Sequence, residues 1–313
     1  MKNKAFLIFT GIVLILTFGC KDKKESKQRN QAVFDAYKNE VQTFILTDKT
    51  ETFIGKKGTK ITIDPKSLNI DGGNEISGKI EIQLTEYYEL EDIILANLST
   101  SSNGNLIETA GMIKLTASFN GKEVVVKNGE EFKIEFATSE KKGMEIFYGE
   151  FDEGKINWVP NAKSTHVNKG GFFSQAMAQN DESLDTATGM ADSIARNNIL
   201  KSSKFGWINC DRFLGLNNLT TLKLSYDTVY KPSAYLVFKE MNSIMPCFYE
   251  KKYGKFINLP IGHNVTLIAF SWDGERLFFS TKEILIDEEV ELNIDFVEIP
   301  LDGIKEKIIK TIE

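Results

Sequence analysis

The feature that most limits what this chain can become is its punctuation. From residue 44 onward, short apolar or alternating runs are broken every few residues by Asn-Gly, Gly-Gly and Asp-Gly pairs. "TKITID", "GKIEIQLTEYY", "GMIKLTASF", "KEVVV", "EEFKIEFA" and "MEIFYGEF" are separated by "NIDGGNEISG", "SSNGN", "NGK" and "KNGE". Such pairs supply the positive φ of tight hairpins, and period-two alternation puts the apolar side chains of each run on one face. Strands of this kind are stable only when stacked face to face, which predicts a β-sandwich over 44–160. "YYELEDIILANLST" interrupts it with a helical turn or a crossover. A second β-rich block, 204–300, runs from "FGWINCDRF" to "VELNIDFVEI", with the Asp-Gly of "WDGE" (272–275) marking a hairpin. Between them, 161–203 has few aromatics and no alternation and reads as a linker. Apolar residues at 33, 34, 37, 41 and 44 fit a short amphipathic helix, and 301–313 reads as a frayed tail helix. The fold class expected is all-β, with two β-sandwich domains.

The N-terminus follows other rules. After the basic "MKNK", residues 5–19 form an apolar run too short for a bilayer span of about 20 residues. Cys20 follows at once, and then the polar "KDKKESKQRN". "LTFGC" resembles a bacterial lipoprotein box, in the loose form familiar from Bacteroidetes lipoproteins. The resemblance implies a signal peptide over 1–19, lipid such as palmitate on Cys20, and a lipid-anchored tether over 20–43. Lys21 stands where inner-membrane retention is associated with aspartate, which implies the outer membrane, on its periplasmic side or at the cell surface. "KDKKE" resembles short surface-export signals and reads equally as a solvated tether.

Residues 55–85, with Gly before Ile-x-Ile, then x-Pro-x-x-Leu and a Gly-rich turn, resemble the opening of a ZU5-like β-sandwich; "LIETAGMIKLTASFNGKEV" continues in that manner. The resemblance implies a ZU5-like first domain and no particular activity. "GWINCDRF" is similar to a segment of uncharacterised lipoproteins of this kind. Some ZU5 domains cleave themselves at His-Phe-Ser; here Phe172 replaces the histidine before Phe173-Ser174, leaving only His166 nearby. A serine acyl shift without its base is disfavoured. The second block is expected to be immunoglobulin-like or transthyretin-like.

Chemical constellations are sparse. The formal net charge of −6, more negative once Lys2 and Lys4 are removed, argues against nucleic acid as a partner. Two histidines, His166 and His263, without ligand spacing and without a C-x-x-C pair, point to no metal and no cofactor. "NIDGGNE" offers Asp71 and Glu75 but lacks the full EF-hand pattern, and reads as an ordinary hairpin. Cys210 and Cys247 form a disulfide in an oxidising compartment or sit as two separate buried thiols. In "GWINCDRF", alternation places Trp207, Asn209, Asp211 and Phe213 on one face, with Ile208, Cys210 and Arg212 on the other. That splits Asp211 from Arg212, and the stretch reads as the first strand of the second domain, an Asp or Arg bracing a loop. Phe248, Tyr249, Tyr253 and Phe256, interleaved with lysines, are the candidate ligand-facing aromatics. The functional expectation is a non-enzymatic binding or assembly module, with the membrane and other envelope proteins or an extracellular ligand as partners. The alternatives are an envelope hydrolase with a carboxylate site and a purely structural envelope component.

Overall fold

The computed structural model describes residues 30–313, apart from 74, 139–141, 153, 162–198, 227–230, 251–252 and 289–290. Cys20 and the signal run, His166, Phe172 and Ser174 therefore lie outside the described residues. Among the described residues the chain is all-β, built from four sheets with three short α-helices.

Sheet I runs in the order β1 (Gln42–Leu46), β5 (Ile80–Tyr87), β7 (Asn105–Phe119), β13 (Gly206–Phe213), β10 (Glu145–Asp152) and β11 (Lys155–Pro160). The short strands β4 (Leu68–Ile70), β6 (Ser101–Ser102) and β8 (Lys122–Val126) attach to its flank. Sheet II orders β12 (Ile199–Ser202), β9 (Phe132–Glu135), β3 (Lys60–Ile63) and β2 (Glu51–Ile54). Sheet III orders β16 (Ser243–Pro246), β15 (Ser233–Phe238), β19 (Asn264–Trp272), β20 (Leu277–Leu285) and β22 (Val297–Ile299). Sheet IV orders β17 (Phe248–Tyr249), β18 (Gly254–Pro260), β14 (Leu219–Tyr226) and β21 (Glu291–Ile294). Neighbouring strands are antiparallel except β14 and β21, which run parallel.

The sheets form a stack, II–I–III–IV, with an apolar layer at each junction. Between I and II lie Leu46, Ile61, Ile82, Ile134, Ile208 and Cys210. Between III and IV lie Leu222, Leu236, Cys247, Phe256, Leu267 and Leu292. The middle layer joins the two halves: Met112, Phe147 and Trp158 from sheet I meet Tyr235, Ile268, Phe270 and Phe279 from sheet III. Sheets I and III are thus covered on both faces. This explains why β7 and β19 are almost continuously buried instead of alternating. Three helices close the middle layer. Residues 30–36 (α1) contribute Val33 and Phe34, α2 (Leu90–Leu95) contributes Ile93, Ile94 and Leu95, and α3 (Ile304–Ile312) contributes Ile304 and Ile308. The expected tail helix is therefore docked, not frayed.

One placement corrects the sequence reading. The strand over 206–213, expected to open the second sandwich, instead fills the centre of sheet I. Trp207 faces Lys114 on β7, and Cys210 faces Ile146 on β10. The preceding strand, β12, likewise completes sheet II beside β9. The reason is nonlocal: β7 and β10 do not pair with each other, and β13 fills the place between them by pairing with both.

Two carboxylates hold loops against this stack. Glu86 is buried at the end of β5, where it accepts hydrogen bonds from Lys57 N (3.0 Å), Thr59 N (3.1 Å) and Gln42 Nε2 (2.8 Å). Burial raises its pKa, but these donors outweigh burial and the net displacement is downward. A Cβ on Gly55 would lie 2.5 Å from the Glu86 carboxyl carbon, so the turn requires glycine there. Asp92 of α2, nearly buried, takes Lys57 Nζ at 2.6 Å and Lys305 Nζ at 2.7 Å, clasping the β2–β3 turn, α2 and α3 together.

Gly55→Ala should displace Glu86 from its donors and cost about 2 kcal/mol in urea unfolding; an unchanged midpoint would refute the assignment. Burial raises the Asp92 pKa, its two lysine partners lower it, and the net shift is downward. Its folded pKa thus falls below the unfolded value near 3.9. The clasp's contribution is then fully present above pH ~4 and lost as pH falls through the folded pKa. Asp92→Asn should lower stability at pH 7 by about 1–2 kcal/mol and lose less than the parent on acidification, read by unfolding at both pH values.

Candidate functional site

The structure disperses the residues that the sequence singled out. Phe256 is wholly buried in the layer between sheets III and IV and presents no face to a ligand. The hydroxyl of Tyr249 donates to Pro232 O, and its phenol pKa is pushed well up, chiefly by burial. Phe248 is half-buried, with Lys155 Nζ 4.8 Å from its ring centroid. Tyr253 is likewise half-buried; its hydroxyl donates to Glu250, and Lys223 Nζ lies 5.1 Å from its ring. The four aromatics therefore do not form one stacking face. The β17–β18 register separates them, pairing Phe248 with Lys255 and Tyr249 with Gly254. A recess of about 60 Å³ remains beside Tyr249, Tyr235, Lys155 and Cys247.

Cys210 and Cys247 are not bonded to each other. Cys210 belongs to the layer between sheets I and II, and Cys247 to the layer between III and IV, with the middle layer between them. Burial pushes the Cys247 thiol up to about 11, which keeps it protonated and unreactive at neutral pH. Gly254 is what admits this thiol, because a Cβ there would collide with Sγ. Arg212 braces as expected: Nε donates to Glu108 Oε2 at 2.7 Å and Nη1 to Lys142 O at 2.9 Å.

A larger concavity lies elsewhere, at the β19–β20 hairpin. The Asp-Gly signal holds: Trp272 pairs with Leu277 across a loop in which Asp273 N donates to Arg276 O. Asp273 Oδ1 accepts from Glu275 N and Arg276 N, which fixes the loop, and Asp273 Oδ2 receives Arg276 Nη2 at 2.9 Å. Arg276 also stacks on Phe278, 5.2 Å from the ring centroid. β22 then lies along β20, placing Glu298 opposite Phe278 and Ile299 opposite Leu277. The result is a cleft of about 430 Å³ lined by Trp272, Glu275, Arg276, Glu298, Ile299 and Leu301, among others. An indole face, a held guanidinium and two carboxylates over an aliphatic floor suit a polar or extended ligand. Sequence reasoning missed this site. Trp272 and Arg276 flanked a recognisable turn, but Glu298 joins them only through strand pairing.

α1 fixes where the N-terminal chain meets this surface. The Asn30 side chain donates to Lys231 O and Ser233 Oγ, both at 3.2 Å, and accepts from Trp272 N at 2.9 Å. Tyr37 donates to Leu301 O at 2.7 Å.

A second polar group is internal. On sheet I, Asp211 lies opposite Thr109 of β7 on one side and opposite Glu145 of β10 on the other. The β7–β13 register shifts beside them, between Asn209 and Asp211. Thr109 Oγ1 accepts from Gly111 N at 3.1 Å and donates to Asn209 Oδ1 at 2.8 Å. Asn209 and Asp211 are both 0% exposed. The edge strand β16 and the residue before it seal this end: Asn242 Nδ2 donates to Thr109 O at 2.7 Å and Ser243 Oγ to Ile107 O at 2.6 Å. Polar residues on the Trp207–Phe213 face of an otherwise apolar strand were the sequence signal for this group.

Among the described residues, no set of three or more His, Cys, Asp or Glu gathers as a metal site, and no helix is long and apolar enough to cross a membrane. No family model matches the chain, and no curated protein matches it.

With Cys210 and Cys247 in separate layers, reductant should leave the urea-unfolding midpoint unchanged. A fall of the roughly 2–4 kcal/mol expected of a broken disulfide would overturn that placement.

Proposed function

We propose that this protein is a lipid-anchored binding or assembly module of the cell envelope, held at the outer membrane through Cys20, its first half ZU5-like. Its partner binds at the Trp272 cleft and along the β22 edge. The observation that carries this reading is the pairing of a ligand-sized cleft with an open strand edge. Among the described residues β22 pairs only with β20, Val297 on it is 60% exposed, and the next residues along it, Glu298 and Ile299, line the cleft. An extended peptide can add to such an edge through backbone hydrogen bonds and place one side chain in the adjoining cleft. The Asn30 contacts support the anchored orientation, because the tether proposed over 20–43 meets the body beside this cleft at Asn30.

A photo-cross-linking residue at position 297 should yield a discrete adduct in intact cells, while the same residue at exposed Leu219 should not. Adducts absent at 297, or equal at both positions, would sink the binding surface. Independently, Cys20→Ala should release the protein from the membrane fraction or block its maturation; unchanged retention and processing would defeat the anchor.

A further inference from the structure

We infer that the row Thr109–Asp211–Glu145, closed by Asn209, is a buried site for a hard divalent cation, Ca²⁺, set in sheet I where it meets sheet III. Directly opposed residues on adjacent strands project from the same face. Thr109, Asp211 and Glu145 are opposed in turn across β7, β13 and β10, so their side chains form one row on the same face. The register shift beside Asp211 is the kind of irregularity that re-aims side chains at sites.

The satisfaction of polar atoms singles out the same place. Among the described residues, the buried side-chain atoms without a hydrogen-bond partner are Glu145 Oε2, Asn209 Nδ2 and both carboxylate oxygens of Asp211. All of them belong to this group. A carboxylate wholly buried beside a second acid costs several kcal/mol unless a proton or a cation neutralises it. Among the described residues no lysine or arginine pairs with Asp211: Arg212 points to the opposite face and pairs with Glu108. The donor chemistry is all oxygen, namely two carboxylates and one amide. The thiol of Cys210 lies in the other apolar layer. Oxygen sets select Ca²⁺ or Mg²⁺ over softer metals, and an irregular, few-water setting favours Ca²⁺.

The Asn209 amide supplies the means of adjustment. As it stands, Oδ1 accepts from Thr109 Oγ1 and Nδ2 has no partner. A half-turn of the amide lets Nδ2 donate to Thr109 Oγ1 and brings Oδ1 toward the carboxylates as a further cation ligand. Two charged ligands complemented by a neutral amide oxygen place the affinity on the order of 10⁻⁴–10⁻³ M, the range of extracellular calcium modules. Occupancy would brace β7, β13 and β10 beneath the β16 seam, and so stabilise the junction of the two halves.

The test is thermal unfolding of the purified full-length protein in chelator, in about 5 mM Ca²⁺ and in equal Mg²⁺, with terbium as a luminescent probe of the same site. Calcium should raise the midpoint by a few degrees and saturably, and should displace terbium emission. Asp211→Asn should abolish both responses. Should that variant fail to fold, Glu145→Gln, on the rim of the group, should weaken terbium binding at least tenfold. The proposal is overturned if neither ion changes the midpoint and terbium does not bind. It is equally overturned if Asp211→Asn in chelator matches the calcium-loaded parent, since the two acids would then be sharing only a proton.

Discussion

The apolar layer between sheets I and III is the interaction on which the rest of this molecule depends. Each of these sheets has a second partner on its far face, so neither can turn its inner face to water without exposing residues such as Phe147, Trp158, Phe270 and Phe279. At about 1.5–3 kcal/mol for each large side chain buried, separating the halves would cost more than a domain's typical net stability. All three helices belong to the same layer. They cap the rims that two twisted sheets leave uncovered, and the Asp92 clasp locks two of them together. The polar bonds along the β16 seam satisfy backbone groups that would otherwise be buried unpaired beside the layer.

How much of this was legible in the sequence depends on whether the information is local. Strand identity is local: "GWINCDRF" alternates, and the prediction that Ile208 and Cys210 share a face away from Trp207 and Phe213 agrees with their separate layers. The Asp-Gly turn at 273–274 and the amphipathic tail are local too. Pairing is not. Nothing in the residues around 206–213 says that their neighbours are β7, about a hundred positions earlier, and β10. An intervening segment rich in small polar residues made a boundary seem natural at a point where the chain in fact re-enters its first sheet.

The sites show the same division. The aromatics at 248–256 looked alike by composition, yet a two-residue strand and a glycine turned Phe256 and Tyr249 inward and left Tyr253 half-buried. The Trp272 cleft depends on Glu298 meeting Arg276 across a pair that only the folded sheet creates. Asp211 was visible as a polar residue on an apolar face. Its orphaned oxygens became apparent only when Thr109 and Glu145 arrived on either side.

The interleaved order of the chain has a consequence for its synthesis. Sheet I lacks its central strand until residue 213 has emerged, and the middle layer lacks its last cover until α3, at 304–312, follows. A polypeptide made N-terminus first therefore carries its earliest strands as an open, two-sided apolar surface for most of its own elongation. A nascent chain of this design needs shielding until α3 has emerged, and loss of that one short helix reaches the centre of the molecule.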